Sequence, residues 1–386
     1  MKKSKVSKSK AGTYFIKGRG IPKGCRLCLI GAKTVLFING LCQNPNHCYW
    51  YCPISNERKG KDFTFANEIK INSREEIIDE INIMNAKGMS ITGGDPLFDN
   101  NFEKTLGFIK YVKMRKGKKF HIHLYTNGLN FSEEIALKLA KVGLDEIRFN
   151  PPREKWNVIQ SALNKGMIVG AEVPVIPNKK YLKELEEFII YLDRIGADFV
   201  NLNEFEFSFP NSHNLKERGF KLNKGSIASV ENSNEMALEL LRKIYNNVSL
   251  QIHFCPIRTK DFWQLKERYL RRAKSIKMPH EDVSEEGLLL YAQIEGNFEA
   301  LIEFKDFLLN EIRIPQKYVY FDKKHIKIPL AFALEKEFIE LLEKRKLKGF
   351  VLEITPFRED DYCQITEKTP IKVFKQELII DGDQEG

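Results

Sequence analysis

The chain has 386 residues, 42% of them hydrophobic, and a formal net charge of +10. That length exceeds a usual single core, so one large domain and one smaller one are expected. No apolar run is long enough to cross a bilayer, and the basic start MKKSKVSKSKAGTYFIKGRG lacks the apolar stretch of a signal peptide, so a cytoplasmic protein with no membrane partner is expected.

Residues 1–33 read as a basic N-terminal segment carrying the pair Cys25-x2-Cys28. From residue 34 a strand–helix rhythm sets in. The apolar run TVLFING is a strand, and SREEIIDEINIMNAKG is a helix in which Ser73 and Glu76 make a capping-box pattern while Ile77, Ile81 and Met84 share one face. The strands MSIT, FHIHLYT, DEIRFN, MIVGAEVPV and DFVNLNEFEF follow, with helical patterns between them, including REKWNVIQSALNKG. A further candidate strand, SLQIHF, ends near Cys255. Strict alternation implies parallel pairing, which fits either an open doubly wound sheet or a partial barrel. This core spans residues 34–256. A basic helical connector, 257–284, includes KERYLRRAKSIK, whose charges around apolar positions read as a solvated helix face. Residues 285–386 read as a small α+β domain: strand LLLYAQIEG, helix FEALIEFKDFLLNEI, paired strands around Asp322-Lys323, helix AFALEKEFIELLEKRK and strand GFVLEITPF, with helices over one sheet face.

Three cysteines, Cys42, Cys48 and Cys52, sit on the loop after the first core strand, at the end where parallel architectures gather ligands. In a reducing compartment, clustered thiols are more often metal ligands than disulfides. Three thiolates can hold three irons of a cubane cluster and leave the fourth open; a zinc site would need a fourth ligand, which His47 could supply. After the second strand comes Gly93-Gly94-Asp95-Pro96, and after the third Thr126-Asn127-Gly128.

These three features on successive strands resemble the radical SAM superfamily, most closely proteins related to pyruvate formate-lyase activating enzymes. The family loop spaces its cysteines C-x3-C-x2-C, whereas this one has C-x5-C-x3-C. The resemblance implies a partial (βα)6 TIM-like barrel with a small C-terminal α+β domain. It also implies a [4Fe–4S] cluster on Cys42, Cys48 and Cys52, with S-adenosylmethionine chelating the open iron. Gly93 and Gly94 would let the backbone approach the cofactor's amino group, and Asp95 would help neutralise it. Tyr51 would lie beside the adenine, with Trp50 and Tyr49 as loop packing. Asn127 falls within the TNG loop. Asn150 and Asn203, at strand ends, are candidate ribose contacts, and Gly166-x-Ile168-x-Gly170 resembles the motif that lines the adenine, with Glu172 close behind. The reaction implied is reductive cleavage of S-adenosylmethionine to a 5′-deoxyadenosyl radical, fed by a low-potential donor such as ferredoxin or flavodoxin.

The substrate class stays open among RNA, a protein and a metabolite; the basic balance suggests RNA, although abundant lysine and glutamate also mark heat-adapted surfaces. The alternative from another class is a non-catalytic zinc or iron–sulfur protein that binds nucleic acid. The remaining cysteines, Cys25, Cys28, Cys255 and Cys363, number what a closed second metal site needs. His121 and His123 share one strand face, with no metal role assigned.

Overall fold

The computed structural model describes residues 5–384, and the chain divides into two compact units, residues 1–265 and 266–386. The first few residues of the basic start, 1–4, lie outside the described residues. In the first unit a hairpin of β1 (Val6–Lys8) and β2 (Tyr14–Ile16) leads to helix α1 (Lys23–Leu29) and strand β3 (Lys33–Phe37). A second hairpin, β4 (Thr64–Ala66) and β5 (Ile69–Ile71), precedes the regular alternation of α2 (Glu75–Ile83), β6 (Gly88–Thr92), α3 (Asn100–Lys116), β7 (His121–Thr126), α4 (Glu133–Lys141) and β8 (Glu146–Phe149). The alternation continues with β9 (Ile168–Val175), α5 (Lys179–Arg194), β10 (Phe199–Glu204), α6 (Ser212–Glu217), α7 (Ser233–Ile244) and β11 (Gln251–Cys255).

Seven parallel strands lie in the order β3-β6-β7-β8-β9-β10-β11, with the two hairpins on the outer edges. That order decides between the two architectures left open by alternation. A doubly wound sheet reverses direction at a switch point; here each crossover moves on to the next position, which is how a TIM-like barrel is wound. The barrel is partial, because a hairpin rather than another parallel strand follows each edge.

Alternation along the strands sorts side chains to two faces. Ile122, Leu124, Ile147, Val169, Ala171, Val200, Leu202, Ile252 and Phe254 enter one apolar core with the helices. On α2 the buried face is Ile77, Ile81 and Met84, as the periodicity predicts, and each such burial contributes about 1.5–3 kcal/mol. The opposite strand face is polar: Lys33, Ser90, His121, His123, Glu146, Arg148 and Asn201 are all buried there. Helix α1 packs among these groups, with Gly24 N donating to Glu146 Oε2 at 3.1 Å. A Cβ on Gly24 would lie 2.4 Å from Arg148 Nη2, so only glycine lets the helix in.

Several local expectations are corrected. The capping box does not form: Glu76 accepts from Asn72 N at 3.3 Å, and Ser73 caps nothing because α2 starts one residue later. Residues Arg153–Ala162 form a 3-10 helix rather than an α-helix. The hairpins and α1 carry too few residues to show a period, and none was expected.

The second unit begins with helix α8 (Leu265–Ile276), then β12 (Asp282–Val283), β13 (Leu289–Glu295), α9 (Phe298–Asn310), β14 (Tyr320–Phe321), β15 (His325–Ile328), α10 (Leu330–Ala333), α11 (Lys336–Lys344), β16 (Lys348–Ile354), β17 (Ile365–Pro370) and α12 (Ile371–Gln384). Its antiparallel sheet has the order β14-β15-β13-β16-β17, with β12 beside β13. The helix expected over residues 331–346 is broken into α10 and α11. Both sheet faces are covered: Ala292 and Ile294 meet the helical core, while Leu289 and Tyr291 pack with Ala273 of α8. The basic helix is therefore more than a solvated face. Its Arg272 is buried, donates to Pro356 O at 2.6 Å and stacks 4.5 Å from the Phe357 ring. No helix among the described residues is long and apolar enough to cross a membrane.

Candidate active site

At the C-terminal ends of the parallel strands opens a cavity of about 340 Å³. Three loops build its wall, after β3, β6 and β7. The first is fixed at its root by Asn39, whose Nδ2 donates to Asp62 at 2.8 Å and Asn101 at 2.6 Å, and whose Oδ1 accepts from Leu41 N at 3.1 Å. The second loop lies directly on the first: Gly94 N donates to Asn39 O and Asp95 N to Leu41 O, at 2.8 and 2.9 Å. A Cβ on Gly93, whose φ is +148°, would sit 2.5 Å from Asn39 O. The glycines therefore admit the chain's own backbone, which is a different reason from the expected approach of a ligand.

Asp95 is likewise relocated. It is 1% exposed and lies behind the cavity wall, where its carboxylate accepts from Leu97 N, Asn127 N and Thr126 Oγ1 at 2.8–3.2 Å. It binds the second loop to the third. Burial pushes its pKa up to about 6 against the pull of those donors. Asn127 carries the connection onward, donating to Gln43 Oε1 at 2.7 Å and reaching Cys42 Sγ at 3.6 Å.

Cys42, Cys48 and Cys52 lie near enough on one loop for their charges to act on one another. Burial, with the charges of Asp95 and Cys52, raises the Cys42 thiol to about 11, and burial, with the charges of Cys52 and Cys42, raises that of Cys48 to about 12. The three sulfurs do not all lie within 4.8 Å of one another, whereas a tetrahedral zinc ion would draw them to about 3.8 Å apart. The thiols are therefore not gathered as one zinc ion would hold them, and a multi-iron cluster, whose thiolates bind different irons, calls for sulfurs set wider apart than zinc does. His47 forms no such trio with them either. The far end of the loop is anchored by Trp50, 6% exposed, which packs on Phe205, Phe220 and Tyr181 with ring centroids 5.9–6.1 Å away. Tyr49, expected to pack, is 54% exposed.

Of the expected cofactor residues, Tyr51, Gly93, Gly94, Asn127, Asn150 and Asn203 line the cavity together with Cys48. Tyr51 accepts from Asn150 Nδ2 at 3.3 Å, which holds the phenol ring in the wall. Ile168 does not belong there. It opens β9 in register with Glu146, at the opposite end of the barrel, and is 48% exposed; the cavity takes Glu172 and Pro174 from that strand instead. Sequence reading also missed Tyr125, Arg148, Glu206 and Lys260. Lys260 lies 3.5 Å from Glu206, in a π-helix, Thr259–Gln264, just after β11. The one available signal was position, since ligands gather at strand C-terminal ends.

Below the cavity a charged network descends into the barrel. Arg148 donates to Glu172 at 2.5 Å and through Nε to Glu146 at 2.7 Å. Glu146 meets His121 Nε2 at 3.3 Å, and Lys33 Nζ contacts Nδ1 of both His121 and His123. His121, His123 and Glu146 are near enough to hold a metal ion, but the Lys33 ammonium already supplies a cation against both imidazoles. Of the other thiols, Cys25 and Cys28 lie on α1 and Cys255 ends β11; their sulfurs are not all within 4.8 Å of one another. Cys363 belongs to the second unit, packed against its small apolar cluster.

The radical SAM superfamily profile matches residues 17–151. A protein of Methanocaldococcus jannaschii that carries the name of a glycyl-radical enzyme activating enzyme is 35% identical over 359 residues, covering 89% of each chain. This chain belongs to the radical SAM superfamily. The anaerobic ribonucleoside-triphosphate reductase-activating protein of Enterobacteria phage T4 is 30% identical over 115 residues, 29% of this chain and 65% of that one. Among solved structures, Streptococcus suis SuiB bound to S-adenosylmethionine matches with a TM-score of 0.39 at 10% identity, covering 58% of this chain and 50% of that one. The methyltransferase TsrM of Kitasatospora setae matches at 0.35 and 12% identity, with coverage of 70% and 58%. The radical SAM chain uses a [4Fe–4S] cluster and S-adenosylmethionine, and the three-thiol loop beside a cavity that combines an aromatic wall with asparagine amides fits that pair. Once bound, the pair supplies reductive cleavage of the cofactor's carbon–sulfur bond to a 5′-deoxyadenosyl radical.

Proposed function

We propose that this radical SAM enzyme is an activating enzyme that places a radical on a protein substrate. The observation that carries the reading is the identity to the M. jannaschii protein, which at 359 residues extends beyond the first unit alone. In this reading Cys42, Cys48 and Cys52 hold the cluster. Tyr51, fixed by Asn150, forms the aromatic wall for the adenine, and Asn150 and Asn203 offer amides to the ribose. Asn127 fixes the cysteine loop beside the cofactor, and Asp95 positions the three loops without touching it. Glu172 on β9, Glu206 just after β10 and Lys260 just after β11, all farther along the sheet from the cluster loop, line the side left for substrate. The electron comes from a low-potential donor of the ferredoxin or flavodoxin class, in a reducing cytoplasm.

The test is anaerobic incubation with dithionite, S-adenosylmethionine and a glycyl-radical protein from the same organism. Formation of 5′-deoxyadenosine together with a persistent protein-centred radical in the EPR spectrum is the expected result. 5′-Deoxyadenosine with no protein radical would overturn the protein substrate while leaving the radical SAM chemistry intact.

A further inference from the structure

Between β10 and α7 the chain makes an excursion, residues 205–232, that stands at the rim of the cavity. Phe205 and Glu206 line the cavity, and the next residue, Phe207, lines a separate groove of about 580 Å³. On that groove Phe209 is 89% exposed, Ile227 84% and Leu222 47%. The exposure does not come from a loose loop. Trp50, Phe205, Leu215 and Val230 form a small buried core beneath it, and Phe207 N and Val230 N donate across the excursion at 2.7 and 3.0 Å. A rigid platform that presents large apolar side chains to water marks an interaction surface.

The groove's charged side chains are Lys216 and Lys221, and no carboxylate lines it. Neither lysine makes an ion pair among the described residues. Ser208, also in the groove, keeps a buried Oγ with no hydrogen-bond partner. The surface therefore offers apolar contact and two unpaired cations. A second copy of the chain fits it poorly, because a two-fold contact would set lysine against lysine. RNA fits poorly on charge: Phe209 offers a plane for a base, but two lysines neutralise few phosphates and Ile227 and Leu222 add only aliphatic surface.

We propose that this groove docks an extended apolar segment of the substrate protein flanked by acidic residues, and thereby brings the reacting residue to the adjoining cavity. The proposal rests on the protein-substrate reading above and adds to it the place and the chemistry of recognition.

The probes are fluorescein-labelled twelve-residue peptides of alternating phenylalanine or leucine with glutamate, the same peptides with lysine for glutamate, and a twelve-nucleotide RNA. Binding to the whole chain is followed by fluorescence anisotropy. The glutamate peptide is expected to bind at least tenfold more tightly than the lysine peptide. The double variant Phe209→Ser, Ile227→Ser should weaken it at least tenfold, and Lys216→Glu, Lys221→Glu should reverse the preference; thermal melts confirm that both variants fold. Unchanged binding in both variants, tighter binding of RNA, or a dimer dissociated by the same substitutions would each overturn the groove. Protein radical formation separates the two readings. Equal yields at limiting substrate in wild type and the double variant sink the groove alone, whereas peptide binding without any protein radical sinks the substrate reading and leaves the groove standing.

Discussion

A Cβ on Gly94 would lie 2.0 Å from Leu41 O, and Cys42 is the next residue along. Gly94→Val must therefore push the cysteine loop away or force the GGDP loop out. Overpacking of this kind costs about 1–3 kcal/mol. The expected outcome is lower iron content after anaerobic reconstitution, with weaker cofactor binding as its consequence; iron equal to wild type would return the glycine to a role facing only the cofactor. For the thiols, Cys42→Ala, Cys48→Ala or Cys52→Ala is each expected to abolish 5′-deoxyadenosine formation, whereas Cys28→Ser should keep about four irons per chain. These cysteines were legible in the sequence because a loop after a strand has a known location and thiols a narrow chemistry. The work of Asp95 was not, because its donors come from Thr126 and Asn127 on the next strand. Ile168 was misplaced for a related reason: spacing from a glycine fixes neither register nor which end of a strand meets the cavity.

Between elements, Trp50 is the joint. It belongs to the cysteine loop, yet its partners Phe205 and Phe220 lie in the excursion after β10, and the Arg218 guanidinium lies 4.8 Å over its ring. Trp50→Ala removes a buried indole at a cost of about 3–5 kcal/mol. Both segments should loosen together, so hydrogen exchange is expected to accelerate at residues 48–55 and 205–220 while the α2 and α3 amides stay protected. Acceleration confined to the cysteine loop would show that the joint is one-sided. The alternating region was readable because its helices repeat an apolar face and its strands are bounded by turns. The three-residue strands of the hairpins show no such period, and the 3-10 stretch at Arg153–Ala162 differs from an α-helix in hydrogen bonding, which an apolar pattern does not report.

For the whole molecule, acid is the informative perturbation. Burial, with help from the Arg148 charge, lowers the His253 pKa to about 3, and burial holds His123 well below its ordinary value. Unfolded histidine titrates near 6.5. Between about 6.5 and 3 the unfolded chain therefore binds protons that the folded one refuses, so stability present above pH 6.5 is lost as pH falls through that window. His253→Asn should flatten the loss, as read from denaturant midpoints at pH 7 and 4.5. The barrel itself became legible only from strand order, since alternation is the same in both parallel architectures. Its lumen has an electrochemical consequence. Lys33, Glu146, Arg148 and Glu172 run as alternating charges from the floor to the cavity, so the ladder presents no net charge to an arriving electron. Lys33 is its weakest rung, because burial lowers its pKa to about 8. Above that pH the ladder becomes net negative, and the reduction potential of a cluster held at Cys42, Cys48 and Cys52 should move downward, a shift that a redox titration at pH 7 and pH 9 would register.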